Sequence, residues 1–476
     1  MTITGTEAKS KDYLEELEAE VYAMSLAAGR AALAKRLEEL DDALAAERDR
    51  SVYRDKGKRR SVLKTRLGEV EYERRVYERQ DGDGVKRYEY LLDQYLGGGG
   101  VGYVSGSLSR LVTAAACEST YRDAARQVWE LTGMRLSHTG AWNIVQQAGA
   151  RARAEVEAQA KRAEGNAGRG GYDSRLLYEE MDGVWLRLQG KDRERHGPSR
   201  ELKVSIAYAG VRLAGRKRRV LDHKVACAGF EPSKEFMARK EGVIADTYNM
   251  DQVQRRVLNS DGGAWMRSGQ MADTVFQLDP FHRNKAIREL VDDPDLQRTM
   301  HVLLCEERVD DLLACAQAAI DSTLDPAERE KRRKLYTYFS NNRQGLIPYD
   351  RRGLNLPAVN PGLLPARGGS MESNVFTLIG NRMKGRRACW SISGAAHLAA
   401  LLCLKHTKGL ASLPFPQDSA TPLPSPALDP PPLQCRSNPS TVGKGYNGFS
   451  HARIPDSLPW LKAMLRYAPF PDLKLT

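Results

Sequence analysis

Three carboxylates in this chain stand where ordinary packing would not put them. Asp182 lies in LLYEEMDGVWLRLQG (176–190), where Val184, Leu186 and Leu188 alternate with Trp185 and Arg187 as in a half-buried strand, and it falls on the aliphatic side. Two readings compete for it. Met181-Asp182-Gly183 is a hairpin turn, since Asp-Gly is the strongest short hairpin signal; or the carboxylate holds a metal ion, and other carboxylates converge on it. Asp261 ends a short strand in RRVLNSDGGAW (255–265). Glu372 precedes Val375, Phe376, Ile379 and Met383 at helical spacing and so heads the expected buried face of a helix. An acid there is expensive unless a cation meets it. Three carboxylates around one spot can hold two hard divalent cations, Mg²⁺ by expectation and Mn²⁺ as the alternative.

The elements between these residues must bring them together. After the Asp182 strand comes a polar turn (189–200), a strand ELKVSIAYAGVRL (201–213), a turn AGRKRR, and a third strand VLDHKVACAGF (220–230), an antiparallel meander. A helical stretch (232–250) leads to the Asp261 strand, and TVFQLDPFHRNKAIREL (274–290) gives another strand running into a helix. At that junction Asp279 as N-cap and Pro280 at the first helical position explain themselves without chemistry. Strand, strand, strand, helix, strand, helix is the order of the ribonuclease H fold, which would lay the Asp182 and Asp261 strands side by side. The expected class is therefore α+β or α/β: a ribonuclease H-like core at 172–405, built on a mixed five-stranded sheet and interrupted by a charged helical insertion at about 283–350.

The rest of the chain points to a polyanion. Of 476 residues, 73 are Lys or Arg against 61 Asp or Glu, a net charge of +12, and the excess clusters in RDKGKRRSVLKTR (54–66), RLAGRKRRV (212–220), REKRRKLYTYFSNNR (329–343) and NRMKGRR (381–387). Any one cluster reads equally as a solvated surface, but together they favour DNA or RNA. Residues 1–50 form a helical segment in which Leu14, Leu17, Val21 and Met24, then Leu33, Leu37, Leu40 and Leu44, recur at three- and four-residue spacing, fit either for pairing chains or for burial in their own domain. A DNA-binding region is expected over 51–165, with strand-like alternation at 66–79 and a flexible connection at 95–107. At 119–157 two short helices meet across Gly133, a helix-turn-helix whose second helix, Ser137 to Gln147, would enter a groove and carries Trp142, Val145 and Ala148. Ser137, His138, Thr139 and Asn143 are its expected DNA-contacting residues. Many helical hairpins look the same and bind nothing. Residues 408–476 are rich in Pro and Ser and read as a mostly disordered tail. The seven cysteines include no CxxC pair, which argues against disulfides and a zinc ribbon. No segment reads as a membrane span or a signal peptide, so no membrane association and a cytoplasmic location are expected.

MDGVWLRLQG, SDGGAWMR, LDPFHRNKAI and GSMESNVFTLIGNRMKGRRACWSISGAAHLAAL resemble, in type and order, the motifs of the ISLre-type bacterial insertion-sequence transposases, a DDE family that stands among the uncharacterised protein families. The resemblance spans roughly residues 60 to 405. It implies Asp182, Asp261 and Glu372 as the catalytic, metal-binding triad, and Asp279 and His282 as an auxiliary D-x-x-H element. It implies cleavage and strand transfer at element ends, with DNA as partner and a homo-oligomer assembling on it. Arg382, Lys384, Arg386 and Arg387, just after Glu372, are expected to bind flanking phosphates. The rivals are a catalytically silent DNA-binding regulator and a nuclease that cuts without rejoining. His282 reads equally as a core histidine, and Trp185, Trp265 and Trp390 as core.

Overall fold

The computed structural model describes residues 13–80, 84–97, 104–165, 170–216, 218–267 and 273–413. The tail expected from 408 thus lies outside the described residues from 414 on, as does much of the connection at 95–107. The described chain divides into two units, one of residues 13–112 and 122–138, the other of residues 113–121 and 139–413.

In the first unit the N-terminal segment is one helix, α1 (Tyr13–Glu47), followed by a sheet of β1 (Tyr53–Thr65), β2 (Gly68–Gln80) and β3 (Lys86–Glu89), and by α2 (Leu91–Tyr95). The two leucine series of α1 divide its labour. Leu33, Leu37, Leu40 and Leu44 pack on Val70, Tyr72 and Leu92, whereas Leu14, Leu17, Val21 and Met24 are exposed. Buried Asp41 fixes the helix on the sheet by accepting from the Arg75 guanidinium at 2.8 Å and from its backbone N–H.

The chain continues through α3 (Gly106–Glu118), α4 (Tyr121–Thr132) and α5 (His138–Glu164). The second helix of the expected helix-turn-helix is far longer than Ser137 to Gln147: α5 has 27 residues. In its first three turns the buried positions are Ala141, Ile144, Val145, Ala148 and Gly149, at helical spacing, and this turns Trp142 outward rather than onto that face. His138, Thr139 and Asn143 share the exposed side, as does Ser137 just before the helix.

The second unit is built on a mixed five-stranded sheet. β4 (Leu176–Arg187) is followed by α6 (Gly190–His196), β5 (Ser199–Tyr208), β6 (Val211–Leu213), β7 (Arg219–Leu221), β8 (Val225–Gly229), α7 (Ser233–Ala245), β9 (Arg255–Ser260), α8 (Ala264–Arg267) and β10 (Thr274–Leu278). The sheet order is β10-β9-β4-β5-β8, with β4 antiparallel to β5, β5 antiparallel to β8, and β9 parallel to both β4 and β10. The expected meander is there, but each of its second and third strands ends in a separate piece, β6 and β7, that pair as a small ribbon. Asp182 and Gly183 lie inside β4, paired with Val204 and Lys203, which rules out the turn reading. β4 is central, so residues 176–182 are buried on both faces, and only from Gly183 onward do the odd positions open to solvent. Trp185 is therefore 60% exposed, against the expectation of a core residue, while Trp390 is buried and Trp265 packs on the core. One face of the sheet is covered by α7, whose Phe236, Met237, Val243 and Ile244 meet Leu177, Met181, Ala207 and Leu258.

The insertion is helical as expected: α9 (Pro280–Leu290), α10 (Pro294–Cys305), α11 (Val309–Ser322) and α12 (Pro326–Asn341) close a second core with Phe276 and Leu278 of β10. Three of the four start with Asp as N-cap and Pro at the first position. After a loop come α13 (Met371–Val375), a π turn (Phe376–Gly380), α14 (Asn381–Met383) and α15 (Ile392–Thr407). The π turn adds a residue to the repeat. It replaces the expected buried series with Met371, Asn374, Leu378, Ile379 and Met383, and it leaves Phe376 63% exposed and Glu372 on the open side.

The central strand carries an ion network on the α7 face. Glu179 is buried against the ammonium of Lys240, and Arg256 reaches it at 2.9 Å. Burial pushes the Glu179 carboxyl up, and the charges of Lys240 and Arg256 overcome this and hold it below the ordinary range. Truncating Lys240→Ala leaves a half-paired buried charge and should destabilise the chain by about 3–5 kcal/mol, whereas the double replacement Glu179→Leu with Lys240→Met should lie much closer to neutral. Urea denaturation of both variants checks this; a Lys240→Ala loss below about 1 kcal/mol would mean that the network does not hold α7 on the sheet.

Candidate active site

β4 places three carboxylates in succession, Glu179, Glu180 and Asp182, all buried. Alternation sends Glu179 to the α7 face and Glu180 and Asp182 to the other. Glu180 is saturated with donors: the hydroxyl of Tyr208 at 2.5 Å, the amide of Asn259 at 3.1 Å, the backbone N–H of Met371 at 3.0 Å, and the hydroxyl of Ser370. Among the described residues, Asp182 has only the backbone N–H of its neighbour Gly183, at 2.7 Å. Burial raises its carboxyl to about 6; the Gly183 hydrogen bond and the charge of His282 oppose this, and the charges of Asp261 and Glu372 add to it.

The neighbours arrive from three elements. Met181 pairs with Ser260 in the parallel β4–β9 ladder, so the next position in each strand sets Asp182 beside Asp261. Asp261 is held in a tight turn: its carboxylate accepts from the N–H of Gly263 at 2.8 Å, and Gly262 has φ +84°. α12 of the insertion abuts this turn through buried Asn342, whose side chain occupies the place a Cβ on Gly262 would need. The N–H of Asp279 donates to the carbonyl of Ser260 at 2.8 Å and so ties the start of α9 to the end of β9. The Asp279 side chain accepts from both the backbone N–H of His282 (3.2 Å) and its ring Nδ1 (3.0 Å), combining the expected N-cap with an ion pair. Burial would raise Asp279, but the hydrogen bonds from His282 and Asn259 outweigh it and hold it low. His282 is raised, first by its bond to Asp279 and further, against its own burial, by Asp182 and Asp261. The half-buried imidazole thus faces the acidic residues, and they hold its pKa above the ordinary histidine value.

Asp182, Asp261, Asp279, His282 and Glu372 accordingly share one electrostatic neighbourhood, with Glu372 contributed by the exposed side of α13. Among the described residues, however, no three His, Cys, Asp or Glu side chains converge closely enough to hold a metal ion between them. The oxygen-only donor set, and an Asp182 with no cationic hydrogen-bond partner, fit a hard divalent cation.

The expected phosphate-binding residues divide. Arg382 turns inward, its Nε donating to the carbonyl of Ala116 at 2.6 Å and its guanidinium lying 5.4 Å from the rings of Tyr121 and Trp390. Lys384 and Arg387 are exposed, and the side chain of Arg386 lies outside what the structure describes. The basic stretch at 329–343 is spent largely inside the insertion: Arg329 and Arg332 cap carbonyls of α11 and its end, and Lys331, Arg333 and Arg343 pair with Asp292, Glu330 and Asp310. In β1, Lys58 and Arg60 pair on the surface, and half-buried Lys56 meets Glu78, whose side chain is 10% exposed. Sequence reasoning missed Glu180, Asn259 and Tyr208; the signal was the pair of acids in YEEMD, directly before Asp182 in a strand that had to be buried.

The model of one family, described as Uncharacterised protein family (UPF0236), matches residues 8–411. No curated protein matches the chain.

A carboxyl raised by folding favours the folded state while it is protonated and loses that contribution as pH climbs through its folded value. For Asp182 the window runs from the ordinary aspartate range up to about 6. In EDTA, Asp182→Asn should therefore match wild type in thermal stability near pH 4 and exceed it at pH 8 by up to about 3 kcal/mol, since a tenfold change in proton affinity is worth about 1.4 kcal/mol. Melting curves across pH check this, and a variant less stable than wild type at pH 8 would contradict the strained-carboxylate reading.

Proposed function

The chain belongs to that uncharacterised family, and within it we propose a DDE transposase, an enzyme that cuts DNA at the ends of an insertion sequence and joins the freed strand to target DNA. The observation that carries the reading is the solitude of Asp182. Of three buried carboxylates on the central strand, two are fully partnered, and the third faces Asp261 and Glu372 with a single neighbouring N–H. Proteins do not retain such an arrangement for stability.

The sheet order supports a ribonuclease H-like core. Numbered along the chain, its strands run 5-4-1-2-3, with the first central, the second antiparallel beside it, the third antiparallel to the second, and the fourth parallel on the other side of the first. Bound at the triad, two Mg²⁺ ions would lower the pKa of the attacking water and neutralise the leaving oxygen. Asp182 and Asp261 supply fixed ligands on adjacent strands. Glu372, exposed on α13, can swing by a rotamer change to complete the set. His282, held by Asp279, supplies positive charge beside the reacting phosphate. In the first reaction water attacks phosphorus, the bond to the element's 3′ oxygen breaks, and that oxygen takes a proton. In the second the freed 3′-OH attacks a target phosphodiester, one P–O bond replacing another, so no energy-rich cofactor is consumed. Lys384 and Arg387 suit flanking phosphates, and the exposed His138, Thr139 and Asn143 suit a groove, as a helix-turn-helix would present them. Assembly of a homo-oligomer on DNA belongs to the same reading.

On DNA carrying the element's ends with Mg²⁺, Asp182→Asn, Asp261→Asn and Glu372→Gln should each abolish cleavage while end binding survives. Mg²⁺ should raise the melting temperature of wild type and barely that of the variants, because a ligand stabilises only the state that binds it. Joined products would separate strand transfer from a nuclease that merely cuts. Cleavage undiminished in Asp182→Asn would refute the proposal.

A further inference from the structure

We infer that Glu180 is a positioning residue for the third carboxylate. It is the buried anchor that holds the start of α13, and with it Glu372, against the central strand. The inference rests on the transposase reading for Glu372 but not for the anchor itself. Glu180 sits two residues before Asp182 on the same face of β4 and is 1% exposed. α13 is five residues long, continues into a π turn, and has no side-chain cap of its own at Ser370. Its first N–H groups therefore need an acceptor from elsewhere. The Glu180 carboxylate supplies it, taking the Met371 N–H at 3.0 Å and the Ser370 hydroxyl, while Tyr208 at 2.5 Å and Asn259 at 3.1 Å fix its orientation. Asn259 in turn donates to Asp279 at 2.8 Å, and Asp279 holds His282. One carboxylate thus joins the segment that carries Glu372 to the segment that carries His282. Gly368, with φ +75°, lets the incoming loop pass against Asn259, where a Cβ would come within 2.8 Å.

A Gln at 180 keeps the shape of the side chain but turns one acceptor into a donor that faces other donors. In the full-length protein, Glu180→Gln should lose hydrogen-exchange protection at residues 371–376 while β4 and β9 stay protected. Titration calorimetry with Mg²⁺ alone should show affinity weakened roughly tenfold to a hundredfold, the usual effect of removing a group that orients a ligand. Ser370→Ala removes one contact and should act in the same direction, more weakly, and it decides the matter if Glu180→Gln does not fold. Combined, the two changes should be less than additive, because they remove the same contact. If protection at 371–376 and Mg²⁺ affinity both persist, the inference is overturned. It is also overturned if only the melting temperature falls, since that is what a merely structural carboxylate would give. A wild type that takes up no Mg²⁺ would instead overturn the transposase reading, and the exchange pattern would still decide whether Glu180 anchors α13.

Discussion

Keeping charge inside the central strand is the constraint around which the second unit is built. A buried carboxylate without partners is penalised by several kcal/mol, and β4 carries three of them within four residues. Each is met differently. Glu179 is neutralised by Lys240 from α7 and Arg256 from β9, which binds a helix and a strand to one face of the sheet. Glu180 is met by neutral donors from β5, β9 and the start of α13, which binds the other face. Asp182 is met by next to nothing. The first two arrangements give rigidity, and the third leaves a carboxyl that folding does not compensate.

The same logic explains why the surrounding backbone is tight where it is. Asp261 cannot stay beside Asp182 unless its turn is fixed, and three devices fix it: the Gly263 N–H on its carboxylate, the left-handed Gly262, and Asn342 pressed against that glycine from the insertion. The insertion is thus more than an appendage of β10. Its last helix also brings the phenol of Tyr338 into the field of Asp261 and Asp279, which together with burial keeps it protonated. Repulsion among like charges is tolerated because the strands and helix ends that carry them are held by the sheet ladders, by the Glu180 network and by the caps that Asp261 and Asp279 themselves accept.

How far this was legible in the sequence depended on the range of the interaction responsible. Period-2 alternation after Gly183, the Asp279-Pro280 helix start and the order of strands are local or topological signals, and they led to the right elements. Asp182 and Asp261 follow from them, because adjacent parallel strands with matched ends need only a correct order. Glu372 was harder. Its neighbourhood was legible but its helical face was not, since a π turn is a response to packing and leaves no propensity signature. Trp185 was misjudged for a similar reason: a large aromatic reads as core, yet strand parity had already assigned it to the open side. Glu180 and its donors lay beyond reach because they come together over separations of 28, 79 and 190 or more positions.

The charge clusters differ in how far the protein already engages them. A run such as REKRRKLYTYFSNNR looks like a polyanion site, but a helix that must dock against two others uses its cations on their exposed carbonyls and acids first. Arg382 does likewise, its guanidinium fastened over two aromatic rings. Cations paired on the surface, such as Lys58 and Arg60 of β1, are different, because exposed pairs contribute about 0–1 kcal/mol and exchange readily for other anions. The net charge of +12 therefore does not tell which cations are free to meet an anion. The better guide is the set of cations whose present partners are the weakest, and by that criterion β1 outranks the more strongly basic helix of the insertion.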